Sequence, residues 1–223
     1  MVANVDTGGW LVGTRVERVP TKRICALAVA KPIGVIWHWT GTRGKGDRHA
    51  INVARMIAEH ASHRSVGASW HLLIARSGLV VQSVPFTLGA IHCRGYRGHE
   101  VNRAYIGIEL ENAGYVIQGN SGWRGVANPH KPVVAWMPGP WPVPDEEVVP
   151  SAAGATLHAY TEAQIDAAEA VLRAIVAWAG VSREECALGH CDLDPERKVD
   201  PGLLWCGEHL PGILARVFRG NHS

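Results

Sequence analysis

The chain has 223 residues, 47% of them hydrophobic and 19% charged, a balance that excludes a wholly disordered chain and allows one domain with elaborations. Lys and Arg number 22 against 20 Asp and Glu, for a net charge of +2 without a dense basic stripe, which argues against duplex nucleic acid as the partner. No apolar run approaches the roughly 18 residues of a membrane span. Within Met1 to Arg23, only the short stretch Gly8 to Gly13 precedes Arg15 and Glu17, so neither stable membrane insertion nor a conventional signal peptide is expected. Cys25, Cys93, Cys186, Cys191 and Cys206 are odd in number and never form Cys-x-x-Cys. That spacing argues against a disulfide scaffold or a zinc ribbon and fits synthesis in the reducing cytoplasm.

The first clear element is Ile33-Gly34-Val35-Ile36-Trp37-His38-Trp39, β-branched and aromatic and bounded by Pro32 and Gly41, which reads as a buried strand. Asp47 is a candidate N-cap for a helix to about His60, with Ile51, Ala54, Ile57, Ala58 and Ala61 at helical spacing. Trp70 to Ile74 and Leu79 to Val84 flank Arg76-Ser77-Gly78 as the arms of a hairpin. Tyr105 to Glu111 is a further strand. Its alternation puts Ile106, Ile108 and Leu110 on one face and Tyr105, Gly107, Glu109 and Glu111 on the other.

From Asn112 to about Tyr160 the composition turns to Gly, Pro and polar residues without periodicity, which reads as a functional or mobile insertion. Thr161-Glu162-Ala163-Gln164 is a capping box, and Ile165, Ala168, Leu172, Ile175, Val176 and Ala179 continue as an apolar stripe to Gly180. A last short helix is predicted from Pro211 to about Arg219. Strands mixed with helices and no internal repeat indicate one α/β domain over 1–223, with its core at about 30–111 and 161–220 and the insertion at about 112–160.

Three residues could carry chemistry together. His38 closes the buried strand, His190 sits in Gly189-His190-Cys191-Asp192, and Asp200 follows ten residues later. Two imidazoles and one carboxylate suit a catalytic zinc, because three protein ligands leave a fourth position for water, whose pKa then falls to about 7. A histidine on a strand is also commonly a satisfied core residue, so the residues alone leave both readings open.

The order of His38 after Val35-Ile36-Trp37, Ser69-Trp70-His71, Gly89-Ala90-Ile91-His92, Ile106-Gly107-Ile108-Glu109-Leu110-Glu111 and Gly189 to Gly202 resembles the zinc-dependent N-acetylmuramoyl-L-alanine amidases of the type 2 family. That family includes phage lysozyme-type amidases and peptidoglycan recognition proteins. The resemblance covers about Ile33 to Gly202 apart from 112–160, and His190 to Gly202 is its most specific part. It implies a mixed central β-sheet with helices on both faces and zinc bound by His38, His190 and Asp200. It further implies that Glu109 and Lys198 are catalytic and that His71 and His92 line the cleft as substrate-binding residues, although burial with one satisfied nitrogen suits those two equally well.

The chemistry of each residue agrees with that reading. Glu109 can move a proton from water to the leaving amine, beside Gly107, whose missing side chain is expected to leave room for substrate. Lys198, two residues before Asp200 in a segment expected to be extended, can stabilise an oxyanion, an effect worth about 3 kcal/mol. Glu196 and Arg197 read as a solvated pair, and Cys191 is not assigned as a ligand. His49, His60, His63, His99, His130, His158, His209 and His222 read as surface or loop.

The implied activity is cleavage of the amide between the lactyl group of N-acetylmuramic acid and L-alanine, in peptidoglycan or a soluble muropeptide. The favoured setting is a monomeric phage or prophage endolysin released through a holin, with a cytoplasmic enzyme that recycles anhydro-muropeptides as the alternative. A peptidoglycan-binding module without catalysis is the remaining alternative. Nine Trp is a high count, and Trp123, Trp136 and Trp141 are candidate sugar contacts on an insertion that walls the groove.

Overall fold

The computed structural model describes residues 3–13, 15–44, 46–59, 68–94, 98–119, 122–126, 142–151 and 154–219. The chain opens with four short strands, β1 (Ala3–Val5), β2 (Leu11–Gly13), β3 (Val16–Arg18) and β4 (Ile24–Cys25), then enters β5 (Gly34–Trp39) and helix α1 (Asp47–Glu59). The hairpin of β6 (Leu72–Ile74) and β7 (Val80–Gln82), then β8 (Gly89–Ala90), α2 (Gly98–Asn102) and β9 (Tyr105–Leu110), complete the first half. After residues 112–160 come α3 (Glu162–Ala179), β15 (Leu188–Gly189), α4 (His190–Leu193) and α5 (Leu210–Val217). Among the described residues no helix is long and apolar enough to cross a membrane.

The central sheet runs in the order β15-β5-β9-β6-β7-β3. β15, β5, β9 and β6 are mutually parallel, and β7 turns back antiparallel to β6. Every residue of β5 is buried, as a strand covered on both faces requires. Alternation then sorts the two layers. Val35, Trp37, Leu72, Ile74, Ile106, Ile108 and Leu110 pack with α3 and α5 in the main core, whereas Leu73 and Val81 meet Ala50, Ala54 and Ile57 of α1 on the other side. The result is a mixed sheet with helices on both faces.

Helix α3 starts and stops where its sequence directs. Thr161 Oγ1 accepts from Gln164 N at 3.1 Å and Gln164 Oε1 accepts from Thr161 N at 3.3 Å, while Gly180 closes the helix in the left-handed region at φ 72°. Gln164 also donates through Nε2 to Ile74 O and Glu111 O, so the capping residue ties the helix to the sheet. Two expectations shift. Asp47 is the first helical residue rather than the N-cap, and its carboxylate is taken by Ser77 Oγ and Arg15. The last helix starts at Leu210 and follows a π-helical turn, Trp205–His209, that the sequence did not suggest.

The described residues of the 112–160 stretch hold regular structure. They form β10 (Tyr115–Gly119), β11 (Gly122–Val126), β12 (Pro142–Val143), β13 (Val148–Pro150) and β14 (Thr156–His158), an antiparallel sheet in the order β12-β11-β10-β14-β13. Trp123 packs against the small core of Ala113, Val116 and Val143; Trp136 and Trp141 lie outside the described residues.

One carboxylate fastens this sheet to the rest of the molecule. Glu147 takes Arg43 through Nε at 2.9 Å and Nη2 at 3.0 Å, His158 Nε2 at 2.9 Å and Arg76 Nη2 at 3.4 Å. His158, expected at the surface, is buried, and its Nδ1 accepts from Ala113 N. The hydrogen bond from Arg43 is the largest influence holding Glu147 down to about 2, with His158 adding to it against the cost of burial. A carboxyl with a depressed folded pKa contributes stability in full above its unfolded pKa, lost as pH falls through the folded value. Glu147→Gln is therefore expected to cost about 1 to 2 kcal/mol at pH 7 once solvent screening is allowed for, with the difference narrowing below about pH 4. Urea unfolding at pH 7 and pH 3 checks this, and an equal loss at both would show that the contact is not ionic.

Candidate metal centre and active site

The site gathers at the carboxyl ends of three neighbouring parallel strands, the usual place for ligands in such sheets. In the β5–β9 register His38 lies opposite Glu109, and both side chains leave the sheet on the face away from α3. Gly189 of β15 lies opposite Trp37, so the next residue, His190, emerges beside His38. Asp192 Oδ2 accepts from Gly189 N at 2.7 Å and fixes the turn into α4. The segment then folds back, with Asp194 O accepting from Arg197 N and Lys198 N, and Cys191 N donating to Asp200 O at 2.9 Å. Buried Tyr160 donates to Pro201 O at 2.9 Å and pins the far side of the loop.

Three candidate ligand atoms converge. His38 Nδ1 is 3.0 Å from His190 Nδ1 and 3.2 Å from Asp200 Oδ2, and His190 Nδ1 is 3.0 Å from Asp200 Oδ2. All three residues are buried. Bonds of about 2.0 Å at the tetrahedral angle give ligand–ligand edges of about 3.3 Å, so the triangle is the right size for a small divalent ion and the N, N, O donor set suits zinc. Burial pushes His38 down to about 4, which keeps the imidazole neutral, as a metal ligand must be.

Lys198 Nζ stands 3.7 Å from Asp200 Oδ1, the oxygen turned away from the imidazoles. It arrives there through a turn rather than an extended segment. Glu109 Oε2 is buried and has no hydrogen-bond partner among the described residues. Burial first, and the Asp200 charge second, push its carboxyl well above the usual range, with Lys198 opposing.

A second grouping, His38 Nε2, His92 Nδ1 and Cys93 Sγ, is also close enough to grip an ion. It shares His38, and a neutral imidazole coordinates through one nitrogen while keeping a proton on the other. Burial also pushes the Cys93 thiol up to about 12, which keeps it protonated when no ion is bound.

Several expectations need correction. Both ring nitrogens of His71 and of His92 have protein partners, the arrangement that burial of these two residues implies. His71 Nδ1 accepts from Gly107 N at 3.0 Å and its Nε2 donates to Leu88 O at 2.9 Å. His92 is engaged at Nδ1 by His38 and at Nε2 by Tyr105 O. The space over Gly107 is filled by the His92 ring, since a Cβ there would lie 2.4 Å from His92 Cγ. Arg197 pairs with Asp194 at 2.7 Å, not with Glu196. His49 is bound to Glu111 at 2.7 Å rather than loose at the surface. Cys191 hydrogen-bonds to Cys206, and all five cysteines are free.

Residues 29–203 match the N-acetylmuramoyl-L-alanine amidase family, and the chain belongs to it. The Escherichia coli K12 protein 1,6-anhydro-N-acetylmuramyl-L-alanine amidase AmpD is 31% identical over 145 residues, covering 63% of this chain and 54% of that protein. The match thus spans about half the length of this curated relative. A solved selenomethionine derivative of AmpD superposes with a TM-score of 0.58 at 22% identity, covering 94% of this chain and 98% of that one. The catalytic domain of XlyA does so with a TM-score of 0.53 at 15% identity, covering 91% and 98%. At these identities the structural likeness is one of fold.

Proposed function

We propose that the chain is a zinc-dependent amidase that hydrolyses the amide between the lactyl carbonyl of N-acetylmuramic acid and L-alanine. The convergence of His38 Nδ1, His190 Nδ1 and Asp200 Oδ2 to within 3.2 Å carries the reading, together with family membership. When bound, zinc supplies Lewis-acid polarisation of the scissile carbonyl and brings the pKa of water down to about 7. Glu109 takes a proton from the attacking water and returns it to the leaving amine nitrogen, which breaks the C–N bond. Its unpartnered, buried Oε2 and raised pKa suit a group that accepts a proton at neutral pH. Lys198 holds Asp200 and places an ammonium beside the carbonyl oxygen as it becomes negative.

The substrate we favour is a soluble anhydro-muropeptide, handled in the cytoplasm by a monomer. Support comes from the E. coli relative, whose name places its action on 1,6-anhydro-N-acetylmuramyl-L-alanine. The second reading is a holin-released endolysin acting on polymeric wall. The sheet of residues 115–158 favours it, because we take this stretch to be an insertion that walls one side of the groove. Purified sacculi and soluble anhydro-muropeptides offered at equal concentration separate the two. Faster release from the soluble substrate is expected, and clearing of intact sacculi with little soluble turnover would sink the recycling reading. Mass spectrometry of the products fixes the bond: new L-alanine amino termini are required, and their absence would leave only a wall-binding module.

A further inference from the structure

We infer that His92 is the positioning residue of the metal site: it sets the tautomer and ring orientation of His38, and so decides which nitrogen of His38 faces the ligand triangle. The inference rests on the metal reading above and adds a part to it.

Two acceptors compete for the single proton of His38, Asp200 Oδ2 at Nδ1 and His92 Nδ1 at Nε2, and the direction of the second bond follows from the far end of the chain of contacts. Tyr105 O is a carbonyl and can only accept, so His92 Nε2, 3.3 Å away, carries the proton. The lone pair of the neutral His92 ring is then on Nδ1. His38 Nε2 lies 3.0 Å from that lone pair and must donate to it. A proton on Nε2 leaves the lone pair of His38 on Nδ1, the atom 3.0 Å from His190 Nδ1 and 3.2 Å from Asp200 Oδ2. The opposite tautomer would aim an N–H into the triangle, where a metal ion belongs. The Cys93 thiol approaches His92 Nδ1 at 3.4 Å and is the weaker donor to it.

His92 is itself held firmly. Asn102 Oδ1 accepts from the backbone N of His92 at 2.9 Å and of Cys93 at 2.8 Å, and Asn102 Nδ2 donates to Cys93 O at 2.9 Å. The ring lies flush on Gly107, where any Cβ would fall within 2.8 Å of three ring atoms. It meets His38 edge-on, with centroids 5.1 Å apart and planes at 85°. Partners behind a ligating imidazole fix its tautomer and orientation, and losing one commonly weakens metal binding about 10- to 100-fold.

The test measures zinc affinity of the full chain by competition with a chromogenic chelator. Long-range 1H–15N correlation on the metal-free protein then shows which nitrogen of His38 carries the proton. His92→Leu and Gly107→Ala are expected to weaken zinc binding by about 10- to 100-fold, and the Leu variant to show mixed tautomers at His38. His92→Asn keeps an acceptor near the place of Nδ1 and should recover most of the loss, which a purely packing role would not allow. Parent-like affinity in both the Leu and Ala variants overturns the proposal, as does an Asn variant no better than Leu, or an Nδ1-protonated His38 in the parent. If the parent itself binds no zinc, or His38→Ala binds it equally well, the metal reading falls and this one with it. The nitrogen spectrum still shows in that case whether His92 and His38 share a proton, so the two failures are told apart.

Discussion

Asp200→Ala is expected to bring zinc from near one per chain to near zero and to lower turnover by roughly a thousandfold or more, the scale of several kcal/mol of charge stabilisation. Asp200 Oδ2 is the one anionic corner of the triangle, within 3.2 Å of both imidazoles. Without it two neutral nitrogens face each other with nothing to balance a dication. His190→Ala should do the same by removing a corner whose place is set by the strand β15. Metal content by atomic emission and amide hydrolysis should fall together; turnover retained in either variant would contradict the ligand assignment.

Glu109→Gln should behave in the opposite way towards the metal. Zinc content is expected to stay near one per chain while the rate falls by about 10² to 10⁴, the usual contribution of a positioned proton carrier. The parent should also lose rate as pH falls through the raised pKa of Glu109, on a limb above the ordinary carboxylate range near 4.3, and that limb should vanish in the Gln variant. The sign for stability is reversed relative to Glu147. A carboxyl whose folded pKa is raised contributes stability in full below its unfolded pKa, and that contribution is lost as pH rises through the folded value. Metal-free Glu109→Gln protein should therefore be more stable than the parent at neutral pH and no more stable near pH 4. A loss of zinc with the rate, or a pH limb that survives, would remove Glu109 from its role.

What could be read in the sequence divides along physical lines. The periods of β5, β9 and α3, and the capping box at Thr161, are local signals, and each element formed where its pattern put it. His38, His190, Asp200, Glu109 and Lys198 were named from motifs, and the fold brings them together because they sit at the ends of adjacent strands and in the loop that follows. The short strands between Tyr115 and His158 are interrupted by Gly and Pro, so their composition reads as loop. Glu147 and its partners Arg43, Arg76 and His158 are illegible in the sequence for another reason. They lie up to 115 residues apart in the chain and share no motif, so only the folded contacts reveal them. The room expected over Gly107 is taken by the His92 ring, because a glycine marks that something comes close, not what does.

The pairing of His38 with Glu109 across β5 and β9 couples chemistry to folding in a particular way. Sliding β9 by one position would offer Ile108 or Leu110 in place of the acid, and would at the same time turn charged and aromatic groups into the oily layer beneath α3. The greasy underside thus acts as a key that admits only one alignment of the reactive upper side. Substitutions at Ile106, Ile108 or Leu110, on the strand face opposite Glu109, are expected to bear on activity through that lock.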